Sequence, residues 1–100
     1  MTIESSISGN ECKISLGGCL NTQSAPEFEK CIKTNITETI KNVTLDFAGL
    51  DYISSAGLRL ILLLQNQMDD QNGTLTIQNT QKNVLDVFDM TGFSSILTLE

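Results

Sequence analysis

The sequence of 100 residues contains no histidine and no tryptophan, and aromatic residues make up only 5% of it. Without histidine the commonest general base is missing, so a serine nucleophile would need a lysine or a carboxylate for activation. So few aromatic side chains make a poor stacking platform for single-stranded nucleic acid. The formal net charge of −6 agrees, because nucleic-acid-binding domains usually carry a basic patch. We therefore expect no direct contact with nucleic acid.

The three cysteines are an odd number and are not spaced for metal binding. Cys12, Cys19 and Cys31 form no CxxC pair, and there is no histidine to complete a mixed metal site. We expect three reduced thiols, no bound metal and a cytoplasmic location. The N-terminus has no basic region followed by an apolar stretch, so no secretory signal is predicted. The longest apolar run, Leu60 to Leu64, is far shorter than the about 20 residues that span a bilayer, so we expect no membrane insertion.

The sequence also lacks the glycine patterns that bind nucleotides. Gly17 and Gly18 are not followed by the spacing of a phosphate-binding loop or a dinucleotide site, so no cofactor is expected. The carboxylates considered for chemistry are Asp46 and Asp51, which lie near the end of the third predicted strand. They could form an acid/base pair, or a polar rim that assists Mg²⁺ brought in by a nucleotide. An enzyme is the weakest of the functional hypotheses, and we predict no catalytic residues.

Hydrophobic periodicity predicts one α/β domain with the order β-β-α-β-α-β-α-β. Apolar residues make up 40% of the chain, which is enough for one core. Strands alternating with helices predict a partly parallel sheet with right-handed crossovers. The predicted strands are Ile3–Ser8, Cys12–Leu16, Val43–Phe47, Thr74–Gln78 and Ser95–Leu99, with the third in the centre of the sheet and apolar on both faces near its end.

Local signals mark the ends of the predicted elements. Ser24 and Glu27 have the spacing of a capping box at the start of the first helix. The second helix is predicted from about Ser55 to Gln71 and is ended by Gly73. Thr80 is a candidate cap of the last helix, which Gly92 closes. Gly17-Gly18 is a bulge or a strand end.

The most informative segment runs from Asp51 to Arg59 with the sequence DYISSAGLR. It lies between the third strand and an apolar helix, so it places two serines at a helix N-terminus. The N–H groups there have no internal partner and carry the positive end of the helix dipole. A serine at this place can be an N-cap or a phosphate acceptor. Arg59, one turn later, is either a contact for an acidic patch or a surface arginine with no specific role.

This segment resembles the hallmark of the STAS family, the sulfate-transporter and anti-sigma-factor-antagonist domain. In that family an aspartate-bearing turn is followed by Asp-Ser-(Ser/Thr)-Gly-Leu, and residues 53–58 read ISSAGL here. Residues 18–28 are similar to the family's Gly-x-Leu-Asp loop and first helix, with Asn21 at the aspartate. Residues 87–93 are similar to its last helix and the following turn. The resemblance therefore covers almost the whole chain, predicted as one domain over residues 1–100.

The resemblance implies a mixed sheet of about five strands with three to four helices, and a binding function. Family members of this length that stand alone are anti-sigma factor antagonists. Each binds a serine kinase that is also an anti-sigma factor, and is switched off when the kinase phosphorylates one serine. A serine phosphatase is a possible further partner. The alternative is a STAS adaptor without phosphorylation, for example in a lipid-transport system.

The resemblance also assigns the site residues. Alignment on Gly57 and Leu58 places the phosphate acceptor on Ser55, and Ser54 then occupies a position often held by aspartate. The predicted partner-binding residues are Asn21, Asp51, Ser54, Ser55, Ala56, Gly57 and Arg59.

Overall fold

The computed structural model describes residues 1–100 as one five-stranded sheet with three α-helices. The strands are β1 (Thr2–Ser8), β2 (Glu11–Leu20), β3 (Asn42–Ile53), β4 (Thr74–Gln78) and β5 (Thr98–Leu99), and the helices are α1 (Ala25–Asn35), α2 (Ser55–Asp70) and α3 (Lys82–Thr91). The predicted fold class and element order are confirmed. The last strand is shorter than predicted, because Phe93–Ser95 forms a 3₁₀ turn.

The sheet has its strands in sequence order, β1-β2-β3-β4-β5, with β3 in the centre as predicted. β1 pairs antiparallel with β2, and every later pair is parallel. α1, α2 and α3 each connect one parallel strand to the next, and all three connections advance in the same direction across the sheet. Because such connections are right-handed, the three helices lie on the same face of the sheet. The other face carries polar residues such as Lys13, Thr44 and Thr76 and has no covering layer.

The core lies between the sheet and this single helix layer. Inward residues of the three central strands, such as Ile14, Leu45 and Ile77, are fully buried. They pack in one cluster with helix residues that include Phe28 and Phe88. No polar or charged residue is buried, so alternation of apolar and polar residues along the strands accounts for the burial. None of the helices is long and apolar enough to cross a membrane.

β2 and β3 continue together beyond the end of β4, and this extension corrects two strand predictions. β2 runs on through Gly17 and Gly18 to Leu20, although its register with β3 shifts there. β3 contains one extra residue between Asp46 and Gly49 and another at Asp51, so it bulges twice. The strand is central as predicted, but the apolar residues at its end are not all buried, since the bulges leave Ala48 exposed.

Three predicted helix-end signals also need correction, although α1 begins directly after Ser24 and α2 ends beside Gln71, as predicted. Ser24 precedes α1 but makes no side-chain capping bond, so the capping box is absent. α3 is preceded by Gln81 rather than by Thr80, and has no side-chain cap. After α2 the residue with positive φ is Asn72, at 58°. Gly73 is needed for close approach instead, because a Cβ there would lie 2.6 Å from the carbonyl oxygen of Lys41.

Candidate functional site

Two of the three segments that the sequence singled out meet at the carboxyl ends of β2 and β3. Leu20 and Ile53 are the last paired residues of these parallel strands. One residue later, the backbone N–H of Ser54 donates a hydrogen bond to the carbonyl oxygen of Leu20 at 2.8 Å. The loop before α1 is therefore held beside the turn before α2. In open α/β sheets this edge is where binding sites form.

The two serines of this turn divide the roles that the sequence left open. Ser54 has extended backbone angles and is the N-cap of α2, and its hydroxyl accepts a hydrogen bond from the N–H of Gly57 at 3.4 Å. Ser55 is the first residue of the helix and is exposed. The capping requirement is thus met by Ser54, and the hydroxyl of Ser55 is free to face solvent. Ala56 follows, half-buried.

Gly57 is buried, and its place in the motif is explained by packing. A Cβ at this position would lie 2.7 Å from Cγ of Leu20 and 2.9 Å from Cγ1 of Ile53. Both of those side chains belong to the core. The first turn of α2 can therefore rest on the strand ends only if residue 57 has no side chain. The structure places Gly57 below the surface that a partner could touch.

The loop from Asn21 to Ser24 is held by its own side chains. Oδ1 of Asn21 accepts hydrogen bonds from the N–H groups of Gln23 at 3.0 Å and Ser24 at 3.1 Å. The Ser24 hydroxyl accepts from the N–H of Asn21 and donates to the carbonyl oxygen of Cys19 at 2.8 Å. This is why Ser24 does not cap the helix. The carbonyl of the Asn21 amide group is therefore engaged within the loop, in an Asx turn.

Several residues close to Ser55 along the chain are exposed. Asp51 is exposed at the second bulge of β3, and Arg59 is exposed one helical turn after Ser55, on the same side of α2. Tyr52 is 51% exposed, which is unusual for an aromatic residue at the end of a central strand. Sequence reasoning missed Tyr52 as a surface residue.

A signal for this exposure was present in the sequence. The buried residues of β3 after its regular part are Phe47, Leu50 and Ile53, three apart rather than two. Such a spacing breaks the period of a strand and indicates bulges. The bulges turn Asp51 and Tyr52 together toward solvent, beside the paired Cys19.

Asp46 does not take part in this site. It lies five residues before Asp51 along β3, which corresponds to roughly 15 Å of strand. Its carboxylate accepts hydrogen bonds from the N–H of Ala48 at 3.0 Å and from Asn79 at 3.2 Å. The bond from Ala48, helped by Asn79 and the charge of Lys13, lowers the pKa of Asp46 from its ordinary value. Asp46 and Asp51 are therefore too far apart to act as an acid/base pair, and no cluster of three potential metal ligands exists.

The cysteines differ in environment. Cys19 is exposed beside the site, whereas Cys12 is buried in β2 and Cys31 is half-buried in α1. Burial raises the pKa of the Cys12 thiol, and the nearby Cys31 raises it further. Cys12 therefore stays protonated and acts as a small apolar side chain.

Comparison with known proteins assigns the family. The model of the STAS domain matches residues 2–100. The chain belongs to the STAS domain family. This confirms the resemblance that the sequence motifs indicated.

Individual relatives point to one branch of the family. The Bordetella bronchiseptica protein named "Putative anti-sigma factor antagonist BtrV" is 37% identical over 81 residues, covering 81% of this chain and 70% of that protein. The unphosphorylated form of the anti-sigma factor antagonist SpoIIAA superposes with a TM-score of 0.85, at 19% identity over 99% of this chain and 88% of that chain. The phosphorylated form of SpoIIAA from Bacillus has a TM-score of 0.78, at 18% identity over 99% of this chain and 91% of that chain. These similarities support an anti-sigma factor antagonist of the SpoIIAA type.

Proposed function

We propose that this STAS domain is an anti-sigma factor antagonist switched by phosphorylation of Ser55. Unphosphorylated, it binds and sequesters a serine kinase that is also an anti-sigma factor. Phosphorylated, it releases that partner. The observation that carries the proposal is the division between the two serines: Ser54 caps α2, and Ser55 presents an exposed hydroxyl at the first position of the helix.

The names of the relatives support the same assignment. BtrV is named as an anti-sigma factor antagonist, and SpoIIAA has been solved both without and with its phosphate. Both forms of SpoIIAA have the fold of this chain. A phosphorylated state is therefore compatible with this architecture.

The local backbone favours a phosphate on Ser55. Because the Ser54 hydroxyl engages only the N–H of Gly57, the N–H groups of Ser55 and Ala56 have no acceptor within the helix. They point toward the position of the added group, together with the positive end of the α2 dipole. Arg59 supplies a positive charge one turn away. The phosphate would thus be stabilised on the surface without rearrangement of the core.

The neutral residues Asn21 and Ser54 suit this role. Asn21 makes the loop hydrogen bonds through Oδ1, as an aspartate could, but without its charge. Ser54 likewise caps the helix through a neutral oxygen. With fewer negative charges beside Ser55, a phosphate of about −1.5 to −2 meets less repulsion. These exchanges preserve the turn and ease the addition of the phosphate.

The same phosphate opposes binding of the partner. We expect the docking surface to include Asp51, Tyr52, Ser55 and Arg59, which are exposed around the α2 N-terminus. A partner that covers this turn must desolvate the phosphate dianion, which is costly unless the partner supplies matching positive charge. Phosphorylation would therefore act on the interface rather than on the fold.

The test is phosphosite mapping in an extract of the source organism. The protein is incubated with extract and ATP, and the modified residue is located by mass spectrometry in wild type, Ser55→Ala and Ser54→Ala. We expect phosphate on Ser55 in wild type and Ser54→Ala, and none in Ser55→Ala. The unphosphorylated protein should retain a serine kinase that the phosphorylated protein does not. Retention of a transport component by both forms, without phosphorylation, would instead show the adaptor function.

A further inference from the structure

The outer edge of the sheet at β1 lacks most of the features that usually block edge-to-edge pairing. β1 spans Thr2–Ser8 with sequence TIESSIS, and is the edge strand along its full length. It contains no proline, lysine or arginine, its only charged residue is Glu4, and its register with β2 is continuous, without a bulge. Edge strands in natural monomers are normally protected by such devices. An unprotected edge of seven residues is a template for another strand.

The turn that joins β1 to β2 determines which backbone groups of β1 are free. The turn has two residues, Gly9 and Asn10, with a φ of 61° at Gly9, the geometry of a type II′ hairpin. In such a hairpin the flanking pair, Ser8 and Glu11, exchanges hydrogen bonds. Hydrogen-bonded pairs then alternate along the ladder, so the even-numbered residues of β1 bond to β2. The N–H and C=O groups of Ile3, Ser5 and Ile7 point outward.

This set of free groups is self-complementary about Ser5. If a second copy of β1 is placed antiparallel with Ser5 opposite Ser5, Ile3 of each copy lies opposite Ile7 of the other. These three pairs are all of the hydrogen-bonded type, because both members present outward groups. A shift of the register by two residues would lose at least one of the pairs. A single register therefore uses every free group of both strands.

The side chains also complement each other on the helix side of the sheet. Ile7 is 51% exposed, one of the few large apolar side chains left open to solvent. In the symmetric register it is covered by Ile3 of the second copy. Ile3 and Ser5 line a cavity of about 290 Å³ between β1 and α1, beside which the incoming Ile7 would lie. Pairing thus removes apolar surface from water at both ends of the strand.

Charges on the uncovered face of the sheet match as well. Lys13 lies next to Ser6 in the register of β2 and β1. In the symmetric register Ser6 faces Glu4 of the second copy, so Lys13 and that Glu4 share one cross-strand row with only a serine between them. A lysine and a glutamate can reach across a serine. Two such opposite-charge contacts form, one on each side of the symmetry axis.

We propose that this chain forms a two-fold symmetric dimer through β1, with the two β1 strands antiparallel about Ser5 and the two sheets continuous. The helices of both copies then lie on one face of a ten-stranded sheet. The interface is small, of the class below about 1,200 Å², so we expect weak and concentration-dependent association. The N-terminus of α2 lies at the carboxyl ends of β2 and β3 and not at β1, so we expect dimerisation to be independent of the proposed phosphorylation.

Sedimentation and amide exchange of the wild-type protein provide the first test. Sedimentation equilibrium up to about 1 mM should show a monomer–dimer equilibrium in the weak range. Amide exchange followed by NMR should slow with concentration at Ile3, Ser5 and Ile7, and not at Glu4 or Ser6, whose N–H groups already bond to β2. A monomer at all concentrations would overturn the proposal, as would a dimer that leaves the Ile3, Ser5 and Ile7 amides unchanged.

Edge variants provide the second test. Ser5→Pro removes an outward N–H without touching the β2 ladder, and should reduce the association constant at least tenfold. Glu4→Lys and Lys13→Glu should each weaken the dimer by placing like charges in one row, and the double variant should restore it. The thermal melt of each variant is measured as a control. A variant counts as an interface variant only if its melting temperature stays close to that of the wild type. Equal dimerisation of the wild type, the three single variants and the double variant would refute the assigned strand and register.

Discussion

The backbone N–H of Ser54 donates to the carbonyl oxygen of Leu20 at 2.8 Å, and this bond joins the two loops of the site. It lies where β2 and β3 end together, one residue before the exposed Ser55. The bond fixes the entry of the chain into α2. The hydroxyl of Ser54 is thereby directed into the helix and that of Ser55 is left outside.

The first prediction concerns the division between the two serines. Ser54→Ala should lower the free energy of unfolding by about 0.5–1 kcal/mol, since the capping bond of 3.4 Å is long. Ser55→Ala should change it by less than about 0.5 kcal/mol, because the residue is exposed. Urea unfolding of the three proteins measures both values. An equal loss in the two variants would show that Ser55 also contributes to the cap.

The second prediction concerns the effect of negative charge at Ser55. Ser55→Asp should keep its melting temperature within a few degrees of wild type, because the charge lies at the positive end of the α2 dipole. It should weaken binding of the kinase partner at least tenfold, roughly 1.4 kcal/mol. Calorimetric titration and a thermal melt measure the two effects. If binding falls only in proportion to the unfolded fraction, the charge acts on the fold and the proposed switch is wrong.

The third prediction concerns the contact between α2 and the strand ends. Gly57→Ala should destabilise the protein by about 1–3 kcal/mol, because the new methyl group would overlap Leu20 and Ile53. The double variant Gly57→Ala/Leu20→Ala removes the overlap with Leu20 and leaves only that with Ile53, so the total loss should be smaller than the sum of the single losses. Additive losses in this double-mutant cycle would contradict the packing role of Gly57.

The fourth prediction concerns the pH dependence of stability at Asp46. Hydrogen bonding from Ala48 lowers the pKa of Asp46 in the folded state. The stabilisation is therefore present above the ordinary pKa of about 3.9 and is lost as the pH falls through the lower folded-state pKa. Asp46→Asn should melt below wild type at pH 7, and the difference should shrink below about pH 4. Asp51→Asn, which removes the same charge without a hydrogen-bond partner, controls for net charge. A constant difference at all pH values would contradict this assignment.

Much of the architecture was predictable because its signals are local. Alternation in segments such as Val43–Phe47 and helical spacing in α2 follow from which side chains must face one core. Their order predicts a partly parallel sheet through the handedness of crossovers. The strand-to-helix position of Ser54 and Ser55 was predictable for the same reason.

Helix caps were predicted less well, because a polar side chain near a helix end can bond to several alternative partners. Ser24 has the spacing of a capping box, yet its hydroxyl bonds to Cys19 and Asn21, because the end of β2 brings that carbonyl within reach. Thr80 has the chemistry of a cap, but α3 begins after Gln81. Such competition depends on neighbours that lie outside the local sequence.

The sequence by itself determined the element order, the central strand and the family motif, because each depends on local periodicity or on a few adjacent residues. Tertiary structure alone decided which serine caps α2, where β3 bulges and which residues of β1 present free backbone groups. The bulge at Asp51 exposes Tyr52, and the bond from Ser54 to Leu20 leaves Ser55 outside. These outcomes depend on the register between strands, which is set only when the whole sheet has packed against its helices.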